Sequence, residues 1–153
     1  MGTDAATIVE VCLALHVRRA ARRISRRFDE ALAPFGLDVS QFNILCVIAA
    51  LEGAALTTVA DVLDIAPSTL SRTLKPLKAQ NMVQVFGGRG RGGLTLSLTL
   101  HGADVFNTAV GAWKSAQGYI ASVLGEAQVG RSLEILEKLE HISSPETSHQ
   151  PME

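Results

Sequence analysis

Cysteine is scarce in this 153-residue chain, and the formal net charge is only −1. Cys12 and Cys46 lie far apart and form no CxxC pair, which argues against a disulfide scaffold and for a reducing compartment. No apolar run approaches the roughly 18–20 residues of a membrane span. The first residues, MGTDAATIVEV, place no basic segment ahead of an apolar core, so they do not read as a secretory signal. The expectation is a cytoplasmic protein with no membrane partner. There is no GxSxG elbow, no HExxH, no phosphate loop and no paired carboxylates in a plausible cleft, which speaks against an enzyme. His16, His101, His141 and His149 have no ligand spacing, so neither a metal nor a cofactor is expected.

An apolar fraction of 47% suits one compact domain with a helical extension. Leu13, Val17, Ala20, Ile24, Phe28, Ala31 and Phe35 draw one stripe along a helix expected from residue 6 to about 33. Ile8, Cys12 and Leu15 begin a second stripe, which hints at burial against a partner subunit. Ser40 is the expected N-cap of a second helix ending at Gly53, and its near-continuous apolar run should be the buried centre. Thr58 to Asp61 looks like a capping box opening a short third helix to about Asp64. Pro67 suits the first position of a fourth helix reaching about Gln80, with Pro76 expected to kink or loosen its last turn. Residues 82–86 and 94–98 read as strands joined by GGRGRGG. A long helix follows from about 101 to 124, capped by Thr99, and an amphipathic helix from 126 to 142. Residues 143–153 read as a disordered tail. The expected fold is mainly α with a small β-hairpin wing: a winged helix-turn-helix plus a helical region.

From Ile65 through Ala103 there are five basic side chains and no acidic one. Such a local concentration of positive charge attracts phosphate backbones whatever the net charge. On the fourth helix Leu70, Leu74 and Leu77 share a core-facing side, which leaves Ser68, Thr69, Ser71, Arg72 and Lys75 outward. Hydroxyls near a helix N-terminus approach phosphates closely, and Arg72 suits bidentate contact with a guanine in the major groove. The bland alternative is a solvated helix face. Gly88, Gly90 and Gly93 match GxGxxG, but an alternating strand follows them, whereas the dinucleotide fingerprint needs a helix. A wing carrying Arg89 and Arg91 into a minor groove fits better. A mobile, solvated turn is the competing reading. The partner expected on this surface is double-stranded DNA.

LTTVADVLDIAPSTLSRTLKPLKAQNMV, the basic hairpin and LSLTLHG together resemble the MarR (multiple antibiotic resistance regulator) family. RFDEALAPFGLDVSQFNIL is similar to that family's first helix, Gly-Leu turn and second helix. The likeness covers about residues 10–125. It implies a homodimer built from residues 1–36 and 101–142, with residues 37–100 as the winged helix-turn-helix that reads half of a palindromic site. The family's wing carries an Asp-Arg pair; Arg91 matches the arginine and Gly90 replaces the aspartate. The implied function is a transcriptional regulator, a repressor released by a small-molecule effector.

The first helix also carries Arg18, Arg19, Arg22, Arg23, Arg26 and Arg27. Like charges at i,i+4 repel by a few tenths of a kcal/mol per pair, and Glu134, Glu137 and Glu140 of the last helix are candidate partners within a dimer. Some relatives sense peroxide through a cysteine early in the first helix, which makes Cys12 a redox candidate. The family's sensors also have tyrosines that hold the thiolate, and the only tyrosine here is Tyr119; a cysteine on an apolar stripe is more often an inert hydrophobe. Other members bind small aromatic or anionic effectors between the dimer helices and the DNA-binding lobe. The matching positions are His16, Arg19, Arg23, Phe42, Cys46 and Trp113. The alternatives to an effector-released repressor are a Cys12-based redox regulator and a winged-helix protein-interaction module without DNA specificity.

Overall fold

The computed structural model describes residues 4–87 and 93–142. Arg89, Arg91 and the tail expected over residues 143–153 lie outside the described residues. Residues to Ala116 form one compact unit and those from Gln117 form a second.

The single long helix expected at the start is two helices, α1 (Ala5–Val11) and α2 (Leu13–Leu32), divided at Cys12, whose ψ of 103° is extended. The interruption leaves carbonyls without helical donors, and the His16 ring reaches back to the Glu10 carbonyl at 2.9 Å to meet one of them. Phe28 and Leu32 bury the C-terminal half of the α2 stripe. A single 3-10 turn at Ala33–Phe35 and Gly36 at φ +70° then reverse the chain.

Helix α3 (Val39–Ala50) is capped by Asp38 rather than by Ser40. Asp38 accepts from the Gln41 N–H at 2.8 Å, and Gln41 Oε1 accepts from the Asp38 N–H at 3.0 Å. Aspartate with glutamine three residues on is a complete capping box. The Val39 N–H is met by Asp29 Oδ1 at 2.8 Å, which ties α3 to α2. Phe42, Ile44, Leu45 and Ile48 are buried, making α3 the centre of the core as expected.

After α3 comes a two-residue strand, β1 (Ala54–Ala55), too short to leave a pattern in the sequence. Helix α4 (Leu56–Val62) starts there, with Ala55 as a cap that offers no side-chain bond, so the capping box expected at Thr58 and Asp61 does not form. It closes with Asp64 at φ +49°, where the Asp64 and Ile65 N–H groups donate to the Asp61 and Ala60 carbonyls. That pair of bonds is a Schellman closure built on aspartate instead of glycine. Helix α5 (Pro67–Ala79) begins on Pro67 and continues through Pro76 without a break. It ends the same way, on Asn81 at φ +54°, with Asn81 and Met82 donating to Lys78 and Leu77.

Strands β2 (Val83–Gly87) and β3 (Leu94–Leu98) form the hairpin read from the sequence. The sheet order is β1-β3-β2, antiparallel throughout, with Val85 opposite Leu96 and Ala54 opposite Leu96 on the other edge. Thr99 caps α6 (Leu100–Leu124) through the Gly102 N–H at 2.9 Å and also donates to the Asn81 carbonyl. A Cβ on Gly102 would run into the Met82 carbonyl oxygen, so only glycine lets α6 start this close to the turn between α5 and β2. Helix α7 (Glu126–Glu140) follows Gly125. No single helix among the described residues is long and apolar enough to cross a membrane.

Candidate nucleic-acid interface

Helix α5 is divided cleanly along its length. Leu70, Leu74 and Leu77 are buried at 0–3% exposure, which fixes the helix rotation against the core. Ser68, Thr69, Ser71, Arg72 and Lys75 are all exposed, as is Lys78. The outward face predicted from leucine spacing is therefore the observed one. Burying a leucine stabilises by about 1.5–3 kcal/mol, so three of them make any other rotation costly.

The α5 N-terminus has no side-chain cap. Pro67 has no N–H and the Thr69 and Leu70 N–H groups donate to the Ala66 carbonyl at 2.8 and 3.1 Å, which leaves the Ser68 N–H and the helix dipole to favour an anion. No acidic residue stands between Ile65 and Ala103 to oppose one. Thr73 Oγ1 donates back to the Thr69 carbonyl at 3.2 Å, while Ser68, Thr69 and Ser71 project from the first turn and a half. Hydroxyls, one guanidinium and two ammonium groups on the exposed side of one helix make a surface for phosphates and base edges.

Beside α5 lies a hollow of about 180 Å³, lined by Ser40, Asn43, Ile44, Leu63, Ile65, Thr69 and Thr73. It joins the start of α3 to the outward side of α5. Sequence alone does not point to it, because Ser40 two residues after Asp38 looks like the cap of α3. The signal that finds it is Gln41, which makes Asp38 the better cap and leaves the Ser40 hydroxyl unused.

The six effector candidates are not gathered around one cavity by the described residues. Phe42 is buried and stacks on Phe106 with ring centroids 5.5 Å apart. Trp113 stacks on Phe28 at 6.4 Å. His16 is bonded across the Cys12 break to the Glu10 carbonyl of α1, and Arg19 and Arg23 are exposed on α2. Cys46 is half-buried, and burial pushes its thiol up from the ordinary range. The larger cleft, about 510 Å³, is lined instead by Pro34, Phe35, Gln80, Met82, His101, Asp104, Val105 and Thr108. Cys12 is half-buried at the break between α1 and α2. Of the arginine stripe, Arg27 sits 3.8 Å from Glu30. No three His, Cys, Asp or Glu side chains converge as a metal site among the described residues.

Helix, turn, helix and hairpin in this order, with a basic, acid-free helix outward, define a winged-helix protein. No protein-family model and no curated protein matches the sequence, but solved structures do. A mutant of MarR from E. coli complexed with operator DNA aligns at a TM-score of 0.79 and 20% identity, over 90% of this chain and 99% of that one. The M. tuberculosis transcriptional regulator MosR in complex with DNA aligns at 0.72 and 27%, over 84% and 96%. The transcriptional repressor CouR bound to a 23-mer DNA duplex aligns at 0.80 and 21%, over 92% and 99%. The chain has the winged-helix fold of the MarR-family transcriptional regulators.

Proposed function

We propose that the chain is a DNA-binding transcriptional regulator, a repressor that acts as a homodimer on a palindromic operator and is released by a small aromatic or anionic effector. The observation that carries this reading is the division of α5, whose leucines are sunk in the core while Ser68, Thr69, Ser71, Arg72 and Lys75 face out, in a stretch from Ile65 through Ala103 that holds no acidic residue. In this reading α5 enters the major groove, Arg72 reads a guanine, and Arg89 and Arg91 follow the wing into the adjacent minor groove. That MarR, MosR and CouR are each seen with DNA supports the assignment. CouR is also seen bound to p-coumaroyl-CoA, which supports an anionic effector; Arg19 and Arg23 are exposed to meet one. A ligand that binds the DNA-free state better shifts the population off the operator.

Self-association is supported by the apolar side chains that the chain leaves in solvent: Ile8, Val9 and Val11 on α1, and Leu133, Ile135 and Leu136 on α7. On each helix taken by itself, exposed apolar side chains of this kind suit a partner surface.

The test is a gel shift on the chain's own upstream region and on duplexes selected from a random pool, across a salt series with unlabelled competitor. Specific retention as a dimer is expected, with a log–log salt slope of about −0.9 per phosphate neutralised. Arg72→Ala should relax preference at one base pair, at a cost of about 1–3 kcal/mol. Retention with no sequence preference in either arm would favour a protein-contact module instead.

A further inference from the structure

The hollow between α3 and α5 has two features that the reading of α5 alone does not use. Its rim carries four uncharged polar side chains and no carboxylate: Ser40 and Asn43, one turn apart on α3, face Thr69 and Thr73, one turn apart on α5. Its floor is apolar, formed by Ile44, Leu63 and Ile65. Ser40 and Asn43 are exposed. The α3 cap is already complete without Ser40, because Asp38 and Gln41 satisfy each other's backbone N–H groups and Asp29 takes the Val39 N–H. Among the described residues neither the Ser40 hydroxyl nor the Asn43 amide has a hydrogen-bond partner. Thr73 donates to the Thr69 carbonyl, and its oxygen is still able to accept. The Thr69 hydroxyl lies on the DNA-facing side of α5.

We infer that this hollow seats one backbone phosphate of the bound duplex, held by the Ser40 hydroxyl, the Asn43 amide and the Thr69 hydroxyl. The inference rests on the DNA-binding reading of α5 and adds a second helix to it. The donors suit a phosphate oxygen, since each is neutral, short and able to donate without carrying an ion pair. The seat fixes where α5 stands along the groove, because Ser40 and Asn43 are held by the rigid α3 while Thr69 rides on α5 itself. Contacts of this kind set register and orientation and carry no base preference. Ser40 and Asn43 are thus positioning residues, distinct in role from Arg72.

The experiment uses the full chain and a duplex that the wild-type protein selects from a random pool. Ser40→Ala, Asn43→Ala and the double variant are compared with wild type by fluorescence anisotropy across a salt series, after thermal unfolding has shown that each is folded. A hydrogen bond to a charged group, lost at an exposed position, should weaken binding by about tenfold in the double variant. The salt slope and the selected sequence should be unchanged, since no cation is lost. A scan of single methylphosphonate substitutions then identifies the phosphate. One position on each half-site should weaken the wild type by about tenfold and the double variant, which keeps only Thr69 at the seat, distinctly less. If the double variant binds as wild type does, or retains the full methylphosphonate profile, the seat is overturned while the DNA reading stands. If the wild type binds no duplex at low salt, both fall together.

Discussion

Helices α5 and α7 are both amphipathic, yet the chain treats them oppositely. On α5 the apolar side is consumed: Leu70, Leu74 and Leu77 are fully or almost fully buried, and every candidate contact residue faces water. On α7 no residue is buried at all, and Leu133 and Ile135 stand 60% and 57% exposed. The same alternation of apolar and polar residues therefore has two meanings. Where the stripe is met by the chain's own core, the polar side is free to act as a surface. Where the stripe is not met, the apolar side is itself the exposed surface, and it is the one proposed above for self-association. Helix α1 belongs with α7, having no buried residue and three exposed branched side chains, Ile8, Val9 and Val11.

The sharpest way to break this comparison is to remove a leucine from each side of it. Leu77→Ala leaves a cavity under α5 at a fully buried position and should cost about 2–5 kcal/mol in urea unfolding. DNA binding should fail in that variant only to the extent that the fold does. Leu133→Glu should leave the unfolding of dilute protein nearly unchanged, because Leu133 is exposed in the single chain. In sedimentation equilibrium the same variant should weaken self-association by about tenfold or more. If Leu133→Glu unfolded the dilute chain and left association intact, the contrast between the two helices would be false.

The parts of the molecule that could be read from sequence are those where one strong periodic signal decides. Three leucines at three-four spacing set the rotation of α5, and the alternation in LTLSL set the last strand. The break at Cys12 was harder. Nothing in the sequence around Cys12 marks a helix break, since there is no glycine or proline there; it is sustained by a histidine side chain four residues on. Pro76 lies inside α5, which runs on to Ala79 with Gln80 as its cap, the end expected from the sequence, and Asn81 and Met82 close it. Caps are ambiguous for a different reason. Both Asp38 and Ser40 are good N-caps, and the choice between them lies in Gln41, whose side chain completes the box only with Asp38. That choice also decides whether Ser40 is structural or available, so the ambiguity in capping hides part of the candidate site. The two-residue β1 carries no period at all. It exists only because β3 offers a free edge at Thr95 and Leu96.

The smallest effect separates the two cysteines. Cys46 is half-buried on α3, and burial raises its thiol above the ordinary range. A raised thiol pKa means that the folded state holds its proton more tightly than the unfolded chain does. The associated stability is present below the unfolded thiol's range and is lost as pH rises through it toward the folded value. The thiolate is the reactive form, so alkylation of Cys46 by iodoacetamide at neutral pH should be slow. In a Cys12→Ser variant the labelling rate should climb only at distinctly alkaline pH, with its midpoint above that of the urea-unfolded chain. A midpoint equal to the unfolded one would show that solvent reaches Cys46 on α3 as freely as in the unfolded chain.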